Sequence, residues 1–213
     1  MSELTVLGWG FFAPTFASAK DALANITRPA QAPAFALAEG RLRRFTSLVT
    51  QMHLEVCGQA LMQVAGDQVL TVFASTVGES HTSIELLRGI TEQNVASAAR
   101  FAQSVHSTPA GLFSIATGNR LPSYALAAGE HTFAAALLEA RLLHAESGRA
   151  VLLSMADDAI PALLRSRAPG VALAGSLLLG AGGRALPEAC TLHAPHLAGS
   201  ALVPMLGVLE QLS

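Results

Sequence analysis

Apolar residues along the chain follow two patterns, short unbroken runs and stripes recurring every three or four positions, and these set out an order of strands and helices. Residues 4–9 read as a short buried strand that stops at Gly10. Between residues 13 and 40, Pro14, Pro29, Pro33 and Gly40 break any period, which predicts a long surface connection with one helical turn near 19–24. From 44 to 65, Phe45, Leu48, Val49, Met52, Val56, Ala60, Leu61 and Val64 share one stripe and predict the first long helix, closed by Gly66 and Asp67. Residues 69–75 are apolar at nearly every position, the pattern of a strand covered on both faces. A second helix is predicted over 82–92 with Ile84, Leu87 and Ile90 inward. A third is capped by Thr108, has Pro109 at its first position and closes at Gly118.

The stretch 121–140 joins a nearly uncharged run to a helix-forming run with Gly129 at the joint. It predicts a strand over 123–127 that turns sharply into a helix over 130–146. Residues 150–156 and 171–180 are further apolar runs, separated by Asp157, Asp158, Pro161 and a short helical stretch to Arg167. A short edge segment at 192–196 and an amphipathic helix over 201–212, capped by Ser200, complete the order. The result is a layered α/β arrangement, a mainly parallel sheet between helices, with nothing in 213 residues that forces a second domain.

Composition adds one constraint. The chain is 51% hydrophobic and 13% charged, where soluble domains average about 25% charged. So little ionic surface suggests that another protein covers part of it, an Ala-rich chain merely short of charge being the plainer alternative. A net charge of −2 without a basic stripe argues against nucleic acid. The least polar segment, 171–183, is too short and Gly-rich to span a bilayer, and Met1-Ser2-Glu3 lacks a basic leader, so the cytoplasm is expected. Cys57 and Cys190 are too far apart for a CxxC motif and read as packed thiols; no cofactor or metal motif appears.

A strand-to-helix elbow is where many enzymes hold a nucleophile, beside the electropositive start of a helix. The corner residues Leu126, Ala127 and Ala128 offer none, although Gly129 and His131 follow three and five positions after Leu126. That spacing resembles the elbow of the β-ketoacyl synthases, thiolase-fold condensing enzymes whose nucleophilic Cys would fall on Leu126. Similar pieces precede it in the same order: Ala74-Ser75-Thr76-Val77-Gly78-Glu79, then Phe101 with Ser104-Val105-His106-Ser107, then Ala110-Gly111-Leu112-Phe113-Ser114-Ile115. The ordered set, running from Leu4 to the last helix, is similar to short β-ketoacyl synthase chain-length factors found beside aryl-polyene pigment enzymes.

The resemblance implies the N-terminal half of a thiolase-like (ketosynthase) fold, one β-ketoacyl synthase N-terminal-like domain over residues 1–213. It departs from the family at three points: Leu126 replaces the Cys, the C-terminal half with two catalytic histidines and a lysine is absent, and Ser107 stands where Asn is common. A Leu side chain cannot form a thioester. The implied role is a non-catalytic chain-length-factor-like subunit that forms a heterodimer with a catalytic ketosynthase in type II polyketide or fatty-acid-like (aryl polyene) biosynthesis. An acyl carrier protein would be reached through that complex. The resemblance places the strand around Tyr124 to Ala127 against the partner and makes Phe113, Tyr124 and Phe133 candidates for the surface that stops a growing chain. Phe101, His106, Leu126 and His131 join them as tunnel or interface candidates. Arg41, Arg43 and Arg44, before the first helix, are candidates for carrier-protein contact, with a solvated basic turn as the plainer account.

Plainer readings stand beside the others too. His131 reads as a hydrogen-bonded core residue, and His106 either orients a carbonyl in the partner's site or caps the turn before Thr108. Glu79 reads as a helix-start charge and Asp157-Asp158 as a turn; Pro195 keeps His193 and His196 from sharing one metal. Three alternatives remain: an independent thioesterase or acyltransferase using Ser75, Ser104 or Cys57 without a G-x-S-x-G elbow, a decarboxylating helper that Leu126 speaks against, and a structural homodimer.

Overall fold

The strands β1 (Thr5–Phe12), β2 (Leu70–Ala74), β3 (Ser123–Leu126), β4 (Val151–Asp157), β5 (Leu173–Gly180) and β6 (Arg184–Ala185) form one sheet in the order β3-β2-β4-β5-β1-β6. This computed structural model describes residues 4–213 apart from 35, 39, 45, 63, 165–169, 188–193, 198 and 199, and the side chains of 41, 44, 162 and 195. Cys190, His193 and the side chains of Arg41 and Arg44 therefore lie outside the described residues, as does part of the predicted edge segment.

The layered α/β expectation holds, but the sheet is mixed rather than mainly parallel. Only the pairings of β2 with β3 and with β4 are parallel; β4 with β5, β5 with β1 and β1 with β6 are antiparallel. Unbroken apolar runs report cover on both faces, not direction. All seven residues of β4 and all eight of β5 are buried, as parallel central strands would be. Between them the described residues hold only one 3-10 turn, Ala162–Leu164, and the chain returns antiparallel, a connection that needs no crossover.

Helices α1 (Ala19–Ala24), α7 (Thr132–Ser147) and α8 (Val203–Leu212) cover one face, where Phe133, Val72, Leu153, Met155, Leu177 and Met205 share a core. Helices α3 (Leu48–Ala60) and α6 (Thr108–Thr117) cover the other, around Leu54, Cys57, Phe73, Phe113, Leu152 and Leu178. A short α2 (Arg41–Arg44) precedes α3. Gly10 does not stop β1; it lets α3 approach. A Cβ at Gly8 or Gly10 would fall 2.3 Å from the carbonyl oxygens of Ala60 or Val56, respectively, so only hydrogen at these positions permits the contact.

Beyond the carboxyl end of β2, α4 (Ser80–Gln93) and α5 (Ala98–Ser104) form a hairpin whose helices pack chiefly on each other. Here the expectation of an inward stripe fails: Leu87 is 58% and Ile90 42% exposed. The period reports an apolar face, and this chain places no sheet beneath it. Val95, Phe101 and Ile115 are exposed as well.

Candidate functional site

The elbow is built as its spacing predicts. β3 leaves the sheet at Leu126, Gly129 takes a left-handed φ of 57°, and a 3-10 turn (Gly129–His131) leads into α7. The fully buried Thr132 braces the turn: its Oγ1 accepts from Ala128 N at 3.0 Å and donates to Gly129 O at 2.6 Å. At the corner the Leu126 carbonyl accepts twice, from Ser75 N at 3.3 Å and from His106 Nε2 at 3.0 Å. A carbonyl cannot donate, so the imidazole carries its proton on Nε2. His106 Nε2 is thus committed to a carbonyl of this chain, and the turn before Thr108 is closed by the Thr108 hydroxyl, which donates to Val105 O at 2.8 Å. Gly78, at φ 54°, makes room for the ring; a Cβ there would sit 2.6 Å from His106 Nδ1.

Two buried carboxylates flank this corner, and the sequence revealed neither. Asp157 ends β4 and accepts from the Ser75 hydroxyl at 2.6 Å, from Thr76 N at 2.7 Å and from Thr76 Oγ1 at 2.7 Å. Ser75 Oγ in turn accepts from Gly78 N at 2.8 Å. Burial raises the Asp157 pKa, and the hydrogen bonds from Ser75, Thr76 and Val77 oppose that rise. Glu79, only 4% exposed, makes no side-chain cap to α4. It accepts instead from Ser47 Oγ at 2.7 Å and Thr50 Oγ1 at 2.6 Å, at the start of α3, where the helix dipole favours an anion. Pairing across the fold, 82 residues apart for Ser75 and Asp157, leaves no local signal.

Behind the corner lies a third buried group. His53 Nδ1 is 2.8 Å from Ser154 Oγ and its ring meets Phe73 edge-on at 5.4 Å. Desolvation, helped by the charge of nearby His106, lowers its pKa to about 3. Cys57 is pushed up to about 12 by burial, against a hydrogen bond with Ser154, and so is held as an unreactive thiol. His53 follows Met52 and precedes Val56 by three on the apolar stripe of α3, the one sequence signal that could have marked it as buried.

The predicted site residues do not converge on one cavity. Phe113 and Phe133 are 1% and 2% exposed and belong to the cores on opposite faces of the sheet. Leu126 is half-buried against the Phe133 core, whereas Phe101 on α5 is 62% and Tyr124 on β3 39% exposed. His131 is not a core residue: its side chain is 78% exposed, 3.6 Å from Glu130. It borders a groove of about 280 Å³ lined also by Phe133, Ala134, Leu137, Leu138 and Pro204. Arg43 donates to Ala34 O at 2.6 Å. His196 is bonded to Ala22 O at 2.6 Å. Among the described residues no cluster of three or more metal-ligating side chains occurs, and no helix is long and apolar enough to cross a membrane.

Residues 18–201 match the family model described as beta-ketoacyl synthase, N-terminal domain. The chain belongs to that family. No curated protein sequence matches it. Among solved structures, this chain is similar to a chain in the ketosynthase ApeO in complex with its chain length factor ApeC from Xenorhabdus doucetiae, with TM-score 0.71 and 24% identity over 86% of this chain and 80% of that one. It is similar to the ishigamide ketosynthase/chain length factor, with TM-score 0.65 and 16% identity over 84% and 62%. A type II polyketide synthase acyl-carrier protein in complex with its ketosynthase also matches, with TM-score 0.67 and 14% identity over 85% and 64%. At these identities the likeness is one of fold, and this chain spans less than two thirds of the latter two chains.

Proposed function

We propose that this chain is a non-catalytic, chain-length-factor-like subunit that pairs with a β-ketoacyl-ACP synthase and shapes its acyl tunnel. The observation that carries the reading is Leu126, a hydrocarbon at the corner where the family's elbow holds its nucleophile, on a strand whose outer edge is open. β3 pairs with β2 alone, and its residues Ser123, Tyr124 and Ala125 are exposed. An uncharged, unprotected edge strand is a template for pairing with another chain. Exposed Phe101, Ile115 and Tyr124 supply apolar surface near it.

In this reading the subunit works in the cytoplasm, in type II polyketide or fatty-acid-like synthesis of the aryl polyene kind, with the acyl carrier protein engaged by the complex. Phe101, His106, Tyr124, Leu126 and His131 belong to the interface or tunnel. Phe113 and Phe133 act from behind, setting how far the wall above them extends. Arg41, Arg43 and Arg44 contact the carrier protein. Independent acyl-thioester chemistry is disfavoured by burial of two of its candidate nucleophiles, Ser75 at 3% and Cys57 at 0% exposure.

Co-expression with the ketosynthase encoded nearest to it, followed by size-exclusion chromatography and elongation assays on acyl carrier protein substrates, tests the reading. Co-elution, with extension by the pair only, supports it. A chain that runs alone and leaves synthase activity and product length unchanged overturns it.

A further inference from the structure

The α4–α5 hairpin is lightly anchored. Among its described residues only Ser80, at the first turn of α4, is buried. The near end of the hairpin is held by Glu79 and by His81 Nε2, 2.8 Å from Ala159 O. At the same open end of the hairpin, α5 is held by Thr108 Oγ1, which donates to Ala102 O and Val105 O, and by Ser83 Oγ on the first turn of α4, which donates to Ser104 O. His106 follows directly on α5 and reaches across to Leu126 O, the last carbonyl of β3. The elbow's other brace, Thr132, comes from the elbow's own helix.

We infer that His106 is a positioning residue that couples the α4–α5 hairpin to the elbow, so that displacement of the hairpin is passed to the Leu126 corner. The geometry makes the link stiff. The ring lies against the Cα of Gly78, on the turn whose amide is bound to Ser75 Oγ and through it to Asp157. The imidazole is therefore backed by a turn fixed to β4 and can neither tilt away nor exchange its acceptor without losing the Leu126 bond. The inference concerns this chain alone and does not depend on the identity of any partner.

Amide hydrogen exchange on the isolated full-length chain tests it, with H106A, H106Q and T132V compared with wild type. In H106A, loss of one hydrogen bond of ordinary strength should speed exchange by about fivefold both at the elbow (126–131) and in α5. H106Q, which restores an N–H donor, should bring both segments back toward wild type. T132V should loosen the elbow while leaving α5 unchanged. Faster exchange in H106A at only one of the two segments, or at neither, overturns the inference. Should H106A fail to fold, the ¹⁵N spectrum of wild-type His106 at pH 8 decides: the Nε2–H tautomer is required, and the Nδ1–H tautomer overturns it.

Discussion

Ser75 donates its hydroxyl to Asp157 at 2.6 Å, tying β2 to β4 beyond the last rung of their ladder, Ala74 opposite Met155. This bond and the two from Thr76 close the carboxyl ends of the strands from which the elbow is braced. D157A would leave the Ser75 and Thr76 donors facing an apolar hole. It should cost about 3 kcal/mol, and D157N, which keeps the shape and two acceptor sites, about half as much. Urea unfolding measures both; a D157A variant within about 1 kcal/mol of wild type would show that the network is not a structural tie.

His53 makes stability depend on pH with a definite sign. Its pKa is about 3 in the folded chain, against 6.5 as its ordinary value, so between these limits the unfolded chain takes up a proton that the native one refuses. The stabilisation is complete above pH 6.5 and is lost on acidification, by about 1.4 kcal/mol per pH unit well below 6.5. Asp157 works the other way: its raised pKa lets the folded chain bind a proton first, so acidification through that value favours the fold. Comparing wild type with H53Q cancels the Asp157 share. The stability gap between them should hold near pH 7.5 and narrow as pH falls through about 6.5 to 5, and parallel curves would mean that His53 titrates normally.

What the sequence shows is what local spacing encodes. The apolar runs of β2, β4 and β5, the helical period of α3 and the Gly129 joint all have signatures within a dozen residues. Strand direction does not, because β5 is buried on both faces whichever way it runs. The stripe of Leu87 and Ile90 announced an apolar face correctly but could not say that this chain leaves it exposed. Glu79 looked like a helix-start charge and Asp157 like a turn residue because their partners are 29 to 32 and 81 to 82 positions away. His131 reads from sequence as a lone, hydrogen-bonded core histidine, yet the turn at Gly129–His131 leaves its side chain 78% exposed.

Gly10 and Gly111 should respond oppositely to alanine. At Gly10 the new Cβ meets the Val56 carbonyl at 2.3 Å, together with Gln59 and Ser176, so α3 must shift and G10A should lose about 2 kcal/mol or more. Gly111 is exposed within α6 with no atom in reach of a Cβ, and G111A should gain about 0.5 to 1 kcal/mol from helix propensity. Thermal unfolding distinguishes them; a tolerated G10A would mean that β1 and α3 are not in the close contact described.

The direction of the free groups on β3 makes the edge testable without disturbing the sheet. Thr71 N bonds to Pro122 O and Ser75 N to Leu126 O, so the even-numbered residues of β3 face β2. Ser123 and Ala125 turn their N–H and C=O groups outward, since residues alternate sides along a strand. Proline at 125 would remove only an outward N–H, and it suits an edge strand while leaving Tyr124 extended. A125P should therefore fold with a loss of about 1 kcal/mol and, under the proposed pairing, fail to co-elute with the ketosynthase used in the co-expression test. If A125P binds as well as wild type, the partner docks elsewhere, and the exposed faces of α4 and α5 become the surface to test next.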